Sequence, residues 1–390
     1  MNGGENRRQI LLSLLLTLWL LFTGGCGKLT QTPVQSRLDE PFPEKLSEWH
    51  LFVGQAPHLQ PNRRVLPYDL NTPLFSDYAS KYRFVWMPPG TSAQYREDGP
   101  FDFPVGTILV KSFGFPVNVS SGPERLIETR LLVHTNKGWV GLPYIWNAKQ
   151  TEATLELVPD PVAIRYTDSG GVKHEFTYFI PNANECKQCH DNLRTMLPIG
   201  PKARNLNKNY GYPEGVNNQI SEWAKVGYLR GAPPLQAIPK VARWDDPDLA
   251  GKGSTTGGTG YTEESRRSLE TRARAYLDNN CGHCHQPGGT AGYTGIDLRV
   301  TNVGMQALGI CKSPNSAGRV GTLVYDLVPG KPDESILLAR MESTRPKEMM
   351  PQIGRSVVHA EGVALVREWI KSLPQDRAAC SAKTTPSGKR

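Results

Sequence analysis

The chain has 390 residues, with 45 lysines and arginines against 37 aspartates and glutamates and a net charge of +8. At 38% hydrophobic and 21% charged it is neither a disordered acidic tail nor a multi-span membrane protein, and its length suggests two or three domains. Its 38 glycines and 32 prolines make up about 18% of the residues, against a usual ~12%. That proportion excludes an all-helical bundle and a plain α/β enzyme with short connections.

Residues 1–25 differ from everything after them. Arg7 and Arg8 precede an apolar run from Ile10 to Phe22, broken only by Ser13 and Thr17. The run is too short for a membrane-spanning helix, which needs ~20 residues, and has the layout of an export signal. It ends Thr23-Gly24-Gly25-Cys26, similar to a bacterial lipoprotein cleavage site, although Leu is usual where Thr23 stands. Cys26 is the candidate lipidation residue. Residues 26–45, polar with scattered prolines, are expected to be a tether.

Residues 46–180 form a β-rich region. Tyr82–Trp86, Thr107–Phe113, Arg130–His134, Trp139–Leu142, Thr154–Val158 and Glu175–Phe179 have strand composition, with turn residues at 88–90, 121–123 and 168–171 between them. The expectation is an antiparallel, sandwich-like β-domain. His134 and His174 are expected at strand surfaces rather than in catalysis.

Seven cysteines and eight histidines include two copies of one pattern, Cys186-Lys187-Gln188-Cys189-His190 and Cys281-Gly282-His283-Cys284-His285. Cys-x-x-Cys-His is the attachment pattern for haem c. Two thiols one helical turn apart reach the two vinyl groups of one porphyrin, and the adjacent histidine ligates iron from below. Zinc would want four ligands per site, and a redox dithiol would need neither the histidine nor the duplicate. The cofactor expectation is therefore two covalent haem c groups, held by Cys186, Cys189, Cys281 and Cys284, with His190 and His285 as proximal ligands.

Residues 181–250 are read as the first haem segment, with a short helix over 217–227. Arg194, Lys202, Arg204 and Lys208 form a basic run with no acid between Asp191 and Glu214. It could neutralise haem propionates, receive an acidic redox partner, or be a solvated face. The sixth ligand of the first iron is open: Met196 is too near His190 in sequence to cross the ring, and His174 or no ligand at all are alternatives. Residues 251–262 are a Gly-rich linker.

The last region, residues 263–375, has the layout of a class I cytochrome c. Helical patterns cover 263–280, leading into the second motif, and 359–373. Met349-Met350-Pro351 precedes the second helix. Met350 is the expected distal ligand because proline follows it, with Met349 as alternative and Met341 a distant third. Cys311 and Cys380 remain as an even pair once Cys26 is set aside, and are expected to form a disulfide in an oxidising compartment. Residues 376–390 are a tail.

The stretches 66–78, 103–107 and 138–147, together with Met349-Met350-Pro351 and Arg367-Glu368-Trp369-Ile370, resemble the bacterial di-haem c-type cytochromes that carry a β-rich N-terminal region. The resemblance spans about residues 46–380 and implies an exported haem protein with no assigned substrate. The expected function is single-electron transfer between periplasmic or outer-membrane redox partner proteins. The alternatives are a di-haem peroxidase-like enzyme with an open first haem, and a redox module on a β-type binding domain. A membrane partner enters through lipid on Cys26. No nucleic acid is expected, because the positive charge is spread along the chain, and no small-molecule substrate.

Overall fold

Apolar side chains alternate along Phe84-Val85-Trp86-Met87 and Ile108-Leu109-Val110, and both sets are buried. A sheet with both faces covered is the consequence, because successive side chains of a strand point to opposite faces. The computed structural model describes residues 32–54, 59–247, 261–315, 320–374 and 380. Its main sheet is a six-stranded antiparallel meander of β1 (Leu66–Tyr68), β2 (Ser80–Trp86), β3 (Ile108–Pro116), β4 (Glu124–Thr135), β5 (Gly138–Trp146) and β6 (Ala153–Leu155), paired in chain order. A register shift at Phe113/Gly114 marks a bulge in β3.

The first face holds Phe84, Trp86, Ile108, Val110, Leu131 and Val133, packed with Leu46, Trp49 and Leu51. Val34 and Phe42 join this cluster, and Ser36 donates to the Gly106 carbonyl. The second half of the expected tether is therefore part of the folded body. The other face, with Val85, Met87 and Leu109, packs against Ala203, Leu206, Trp223 and Tyr228. These belong to the segment 181–250 assigned from sequence to the first haem, and that segment also covers the sheet. A smaller sheet pairs β7 (Val162–Thr167) antiparallel with β8 (Lys173–Tyr178), and a short strand, Asn118–Val119, runs parallel to β7. Ile164, Tyr166 and Tyr178 pack on Phe113, Phe115 and Ile127. The molecule is thus a mixed β and α fold with a β-rich N-terminal part, whose sheets are not purely antiparallel.

Among the described residues six α-helices follow: α1 (Ala183–His190), α2 (Ala203–Leu206), α3 (Gln219–Lys225), α4 (Glu263–Asn280), α5 (Ile336–Glu342) and α6 (Ala360–Ser372). Thr262 caps α4 by accepting from the Ser265 amide, and Glu263 and Glu264 lie in the first turn where the helix dipole favours negative charge. Leu269, Ala273, Tyr276 and Leu277 of α4 meet Val363, Val366, Trp369 and Ile370 of α6 in one core, joined by Leu338 and Met341 of α5. Cys311 and Cys380 are joined by a disulfide across a separation of 69 residues.

Among the described residues no helix is long and apolar enough to cross a membrane. The export signal, Cys26, linker residues 251–260 and all of the 376–390 tail except Cys380 lie outside the described residues.

Candidate functional site

The first motif lies on α1. Asn182 caps it by accepting from the Asn184 and Glu185 amides, and Glu185 returns to the Asn182 amide. This capping box starts the helix only three residues before Cys186. Positions i, i+3 and i+4 then put Cys186, Cys189 and His190 on one side of it. Cys186 packs on β5 at Gly141, where a Cβ would come within 3.3 Å of its Sγ and 3.4 Å of Met196 Cε. Met196 folds back opposite Asp191 across a tight turn, with Leu193 and Arg194 both at positive φ. It therefore lies on the Cys186 side.

His190 Nδ1 is 2.7 Å from the Leu197 carbonyl. A carbonyl can only accept, so Nδ1 carries the proton and Nε2 keeps its lone pair. Burial, reinforced by the neighbouring His283, Lys111 and Arg130, pulls its pKa down to about 4, leaving the ring neutral near pH 7.

The second motif starts where α4 ends. The Cys281 and Gly282 amides donate to the Leu277 carbonyl, and the Cys284 and His285 amides to that of Cys281. A Cβ at Gly282 would sit 2.7 Å from the Asp278 carbonyl oxygen, so the tight turn requires glycine there. His285 Nδ1 is 3.3 Å from Thr294 Oγ1. That hydroxyl spends its proton on the Ala291 carbonyl, so its oxygen accepts from Nδ1 and again leaves Nε2 free. Burial lowers the pKa of His285 as well.

Cys281, Cys284 and His285 open into a cavity of about 720 Å³ whose wall also holds Met341, Met350, Ile296, Leu298 and Ile353. Met350 and His285 share this space; Met349 is not among its lining residues. Met341 lines it too but belongs to the core packed between α4, α5 and α6.

The Met350 loop is fastened from two directions. Buried Arg355 donates to the carbonyls of Met350 (3.1 Å), Val357 (3.2 Å), Arg340 (3.2 Å) and Ser343 (2.7 Å). Asp77, just before β2, accepts from the Ser356 and Val357 amides at 2.7 and 3.0 Å. Arg355→Gln should therefore free residues 343–357. The guanidinium bonds are worth about 1.5–3 kcal/mol each before non-additivity, and faster hydrogen exchange confined to that loop is the expected readout. Exchange unchanged from wild type would show that other contacts hold the loop.

The three residues before Cys281 reach into the N-terminal part. Asn280 Oδ1 accepts from the Phe75 amide at 2.7 Å, Asn279 donates to the Thr72 carbonyl at 2.6 Å, and Asp278 pairs with Arg204. This overturns every reading of the basic run as one charged face. Lys202 and Arg204 are 6% and 3% exposed, Arg204 also bonds Asp98, and Lys208 pairs with Asp69 at 2.8 Å. Only Arg194 of the four stays exposed. Lys202, Arg204 and Lys208 are internal wiring, and the cations that act on His190 are Lys111 and Arg130, the latter paired with Glu128 at 2.5 Å.

His134 holds the Phe103 carbonyl through Nδ1 and stacks on Trp139. His174 Nε2 is 2.9 Å from Asp168, and its ring stacks on Tyr166. That nitrogen is committed to Asp168, so of its two ring nitrogens only Nδ1 could serve as a sixth ligand at the first motif.

Sequence reasoning passed over His283, an intervening residue of the second motif. Its ring comes together with Cys284 and with Cys189 of the first motif, all three within 4.8 Å of one another. Nothing in the local pattern could have announced it, because His283 and Cys189 lie 94 residues apart in the chain. No family model matches the chain, and neither a curated protein nor a solved structure matches it.

Proposed function

We propose that the chain is an exported, lipid-anchored di-haem c-type cytochrome that passes single electrons between redox partner proteins. The observation that carries this reading is the state of the two motif histidines. Each has Nδ1 committed to a protein oxygen and Nε2 left as a free donor, the arrangement by which a protein orients an iron-ligating imidazole. Cys186 and Cys189 would hold one haem with His190, and Cys281 and Cys284 the other with His285.

The second site fits the group in donor set and size. Two thiols, an oriented imidazole and a thioether line one largely apolar cavity, within the range of cofactor pockets. Helices α4, α5 and α6 would then frame a class I cytochrome c domain, with Met350 as the distal ligand. Haem iron supplies the one-electron couple, and His/Met ligation raises its potential. The chain's own part is to exclude water with Ile296, Leu298 and Ile353, and to hold Met350 in place through Arg355 and Asp77. Export and anchoring rest on residues 1–26.

The placement of Met196 on the Cys186 side supports an open first iron as the second reading, which would admit peroxidase-type chemistry. Optical and EPR spectra of the oxidised protein, repeated with cyanide and, after reduction, with carbon monoxide, separate the two. Two low-spin centres that ignore both ligands support the carrier; one high-spin centre that binds them supports the open iron. Met350→Ala should keep both haems attached, turn the second centre high-spin and lower its potential. An unchanged spectrum and potential would remove Met350 as the ligand.

A further inference from the structure

Each motif turns its first cysteine towards its own core and its second towards the other motif. Cys186 packs on Gly141 of β5, and Cys281 packs against the core between α4 and α6. Cys189 and Cys284 instead meet each other, with their sulfurs and a ring nitrogen of His283 all within 4.8 Å. Cys189 and Gln188 are part of the wall of the cavity that holds His285 and Met350.

The junction is built by specific contacts. The Gln188 carbonyl accepts from Thr290 Oγ1 at 2.8 Å and lies 3.4 Å from Cys284 Sγ. Asn192 pairs with Gly289 as an antiparallel bridge, and the Leu193 amide donates to the Gly288 carbonyl at 2.9 Å. Gly288 has φ +83°, and a Cβ there would lie 2.9 Å from both Asn192 Oδ1 and Leu193 Cγ. A side chain at position 288 would therefore strain a positive-φ backbone and press on the Asn192 and Leu193 side chains.

We infer that the two motifs form one coupled two-centre unit, in which the porphyrins carried on Cys189 and Cys284 meet at those two thioether edges. The inference rests on the haem reading and deepens it. In attachment each thiol adds across a vinyl group: the sulfur bonds one vinyl carbon, the thiol hydrogen goes to the vinyl group, and no electron acceptor is consumed. Each sulfur is then a single bond from its ring's substituent, so two adjacent sulfurs place two ring edges next to each other. Electron tunnelling falls steeply with separation, so an electron entering at either motif is shared with the other without a partner protein between them. An electron on one centre also disfavours a second beside it, because the two added charges interact through a poorly screened interior.

The test uses the full-length holoprotein, with intact mass confirming two haems. Expected are a bisignate Soret circular-dichroism couplet and a fully oxidised EPR spectrum broadened by spin coupling, which sharpens when one centre is reduced. Thr290→Val removes the hydroxyl that ties Thr290 to Gln188 while keeping its size, and should diminish the couplet with both haems retained. A couplet of unchanged size in Thr290→Val would overturn the role given to this junction. Two haems with a monosignate Soret band and an EPR spectrum equal to the sum of independent centres would overturn the coupling and leave the cytochrome reading intact. A mass showing no haem would overturn both.

Discussion

Asp278→Ala is expected to destabilise the fold by about 3–5 kcal/mol, the usual result of removing one partner from a buried ion pair. The side chain of Asp278 is 1% exposed and that of Arg204 3%. Its two oxygens accept from Arg204 Nη2 and Nε at 3.1 and 3.2 Å, and from the Val300 amide at 3.1 Å. Burial works to raise the pKa of Asp278, but Lys202 and Arg204 outweigh it and hold the carboxyl below its ordinary value.

The two cations are not equal partners. Burial lowers the pKa of Lys202 despite Asp278 at 4.0 Å, whereas the Asp278 and Asp98 contacts raise that of Arg204 against its own burial. Arg204 therefore carries the pair, as its shorter contacts require. Because the folded pKa of Asp278 is depressed, its stabilisation is complete above the unfolded carboxylate value of ~3.9 and is lost as pH falls through the folded value. Urea midpoints measured from pH 7 to pH 2 should show wild type losing a part of its stability below about pH 4 that Asp278→Ala never had. Parallel curves would show that Asp278 does not supply it.

Cys311→Ser is expected to cost about 4 kcal/mol, the chain-entropy value for closing a loop of this length, and, in the proposed cytochrome, to leave both haem spectra unchanged. The disulfide joins residues 69 apart. The Cys311 amide donates to the Leu327 carbonyl, and Tyr325 donates to the Cys380 carbonyl, so both ends of the bridge rest on the same loop. Denaturant midpoints with and without reductant provide the check. Wild type should fall to the level of Cys311→Ser when reduced, and equal midpoints throughout would exclude a stabilising role for the bridge.

The long helices are legible in the chain because several local signals agree there. In α4 the Thr262 cap, the acidic first turn and the Leu269–Ala273–Tyr276–Leu277 stripe all specify the same boundaries, and the helix observed is Glu263–Asn280. The second cysteine motif could be placed at its end for the same reason. The strands of the main sheet are likewise recognisable from composition. What covers that sheet is not, since Trp223 and Tyr228 carry no local sign of packing on Val85 and Met87.

The basic run shows the limit most clearly. Lys202 and Arg204 read as surface charge because their partners are remote: Asp278 and Asp98 lie 74 and 106 residues from Arg204. A buried pair formed over such distances leaves no pattern in either segment. The approach of Cys189 to Cys284 was hidden for the same reason, as was the hold of Asp77 on the Met350 loop. Met350 itself could be singled out, because the residues around it already marked the loop.

The seam between the two halves of the molecule has a practical consequence for anyone dividing the gene. A fragment beginning at Tyr261 contains every helix of the second motif's core, and by pattern alone it looks self-sufficient. It would nevertheless leave Asp278 without Arg204, Asn279 without the Thr72 carbonyl, and the Ser356 and Val357 amides without Asp77. These losses fall in the turn of helix that feeds Cys281 and in the loop that carries Met350. An excised C-terminal piece would thus be weakest at the two places that would grip the second haem of the proposed cytochrome.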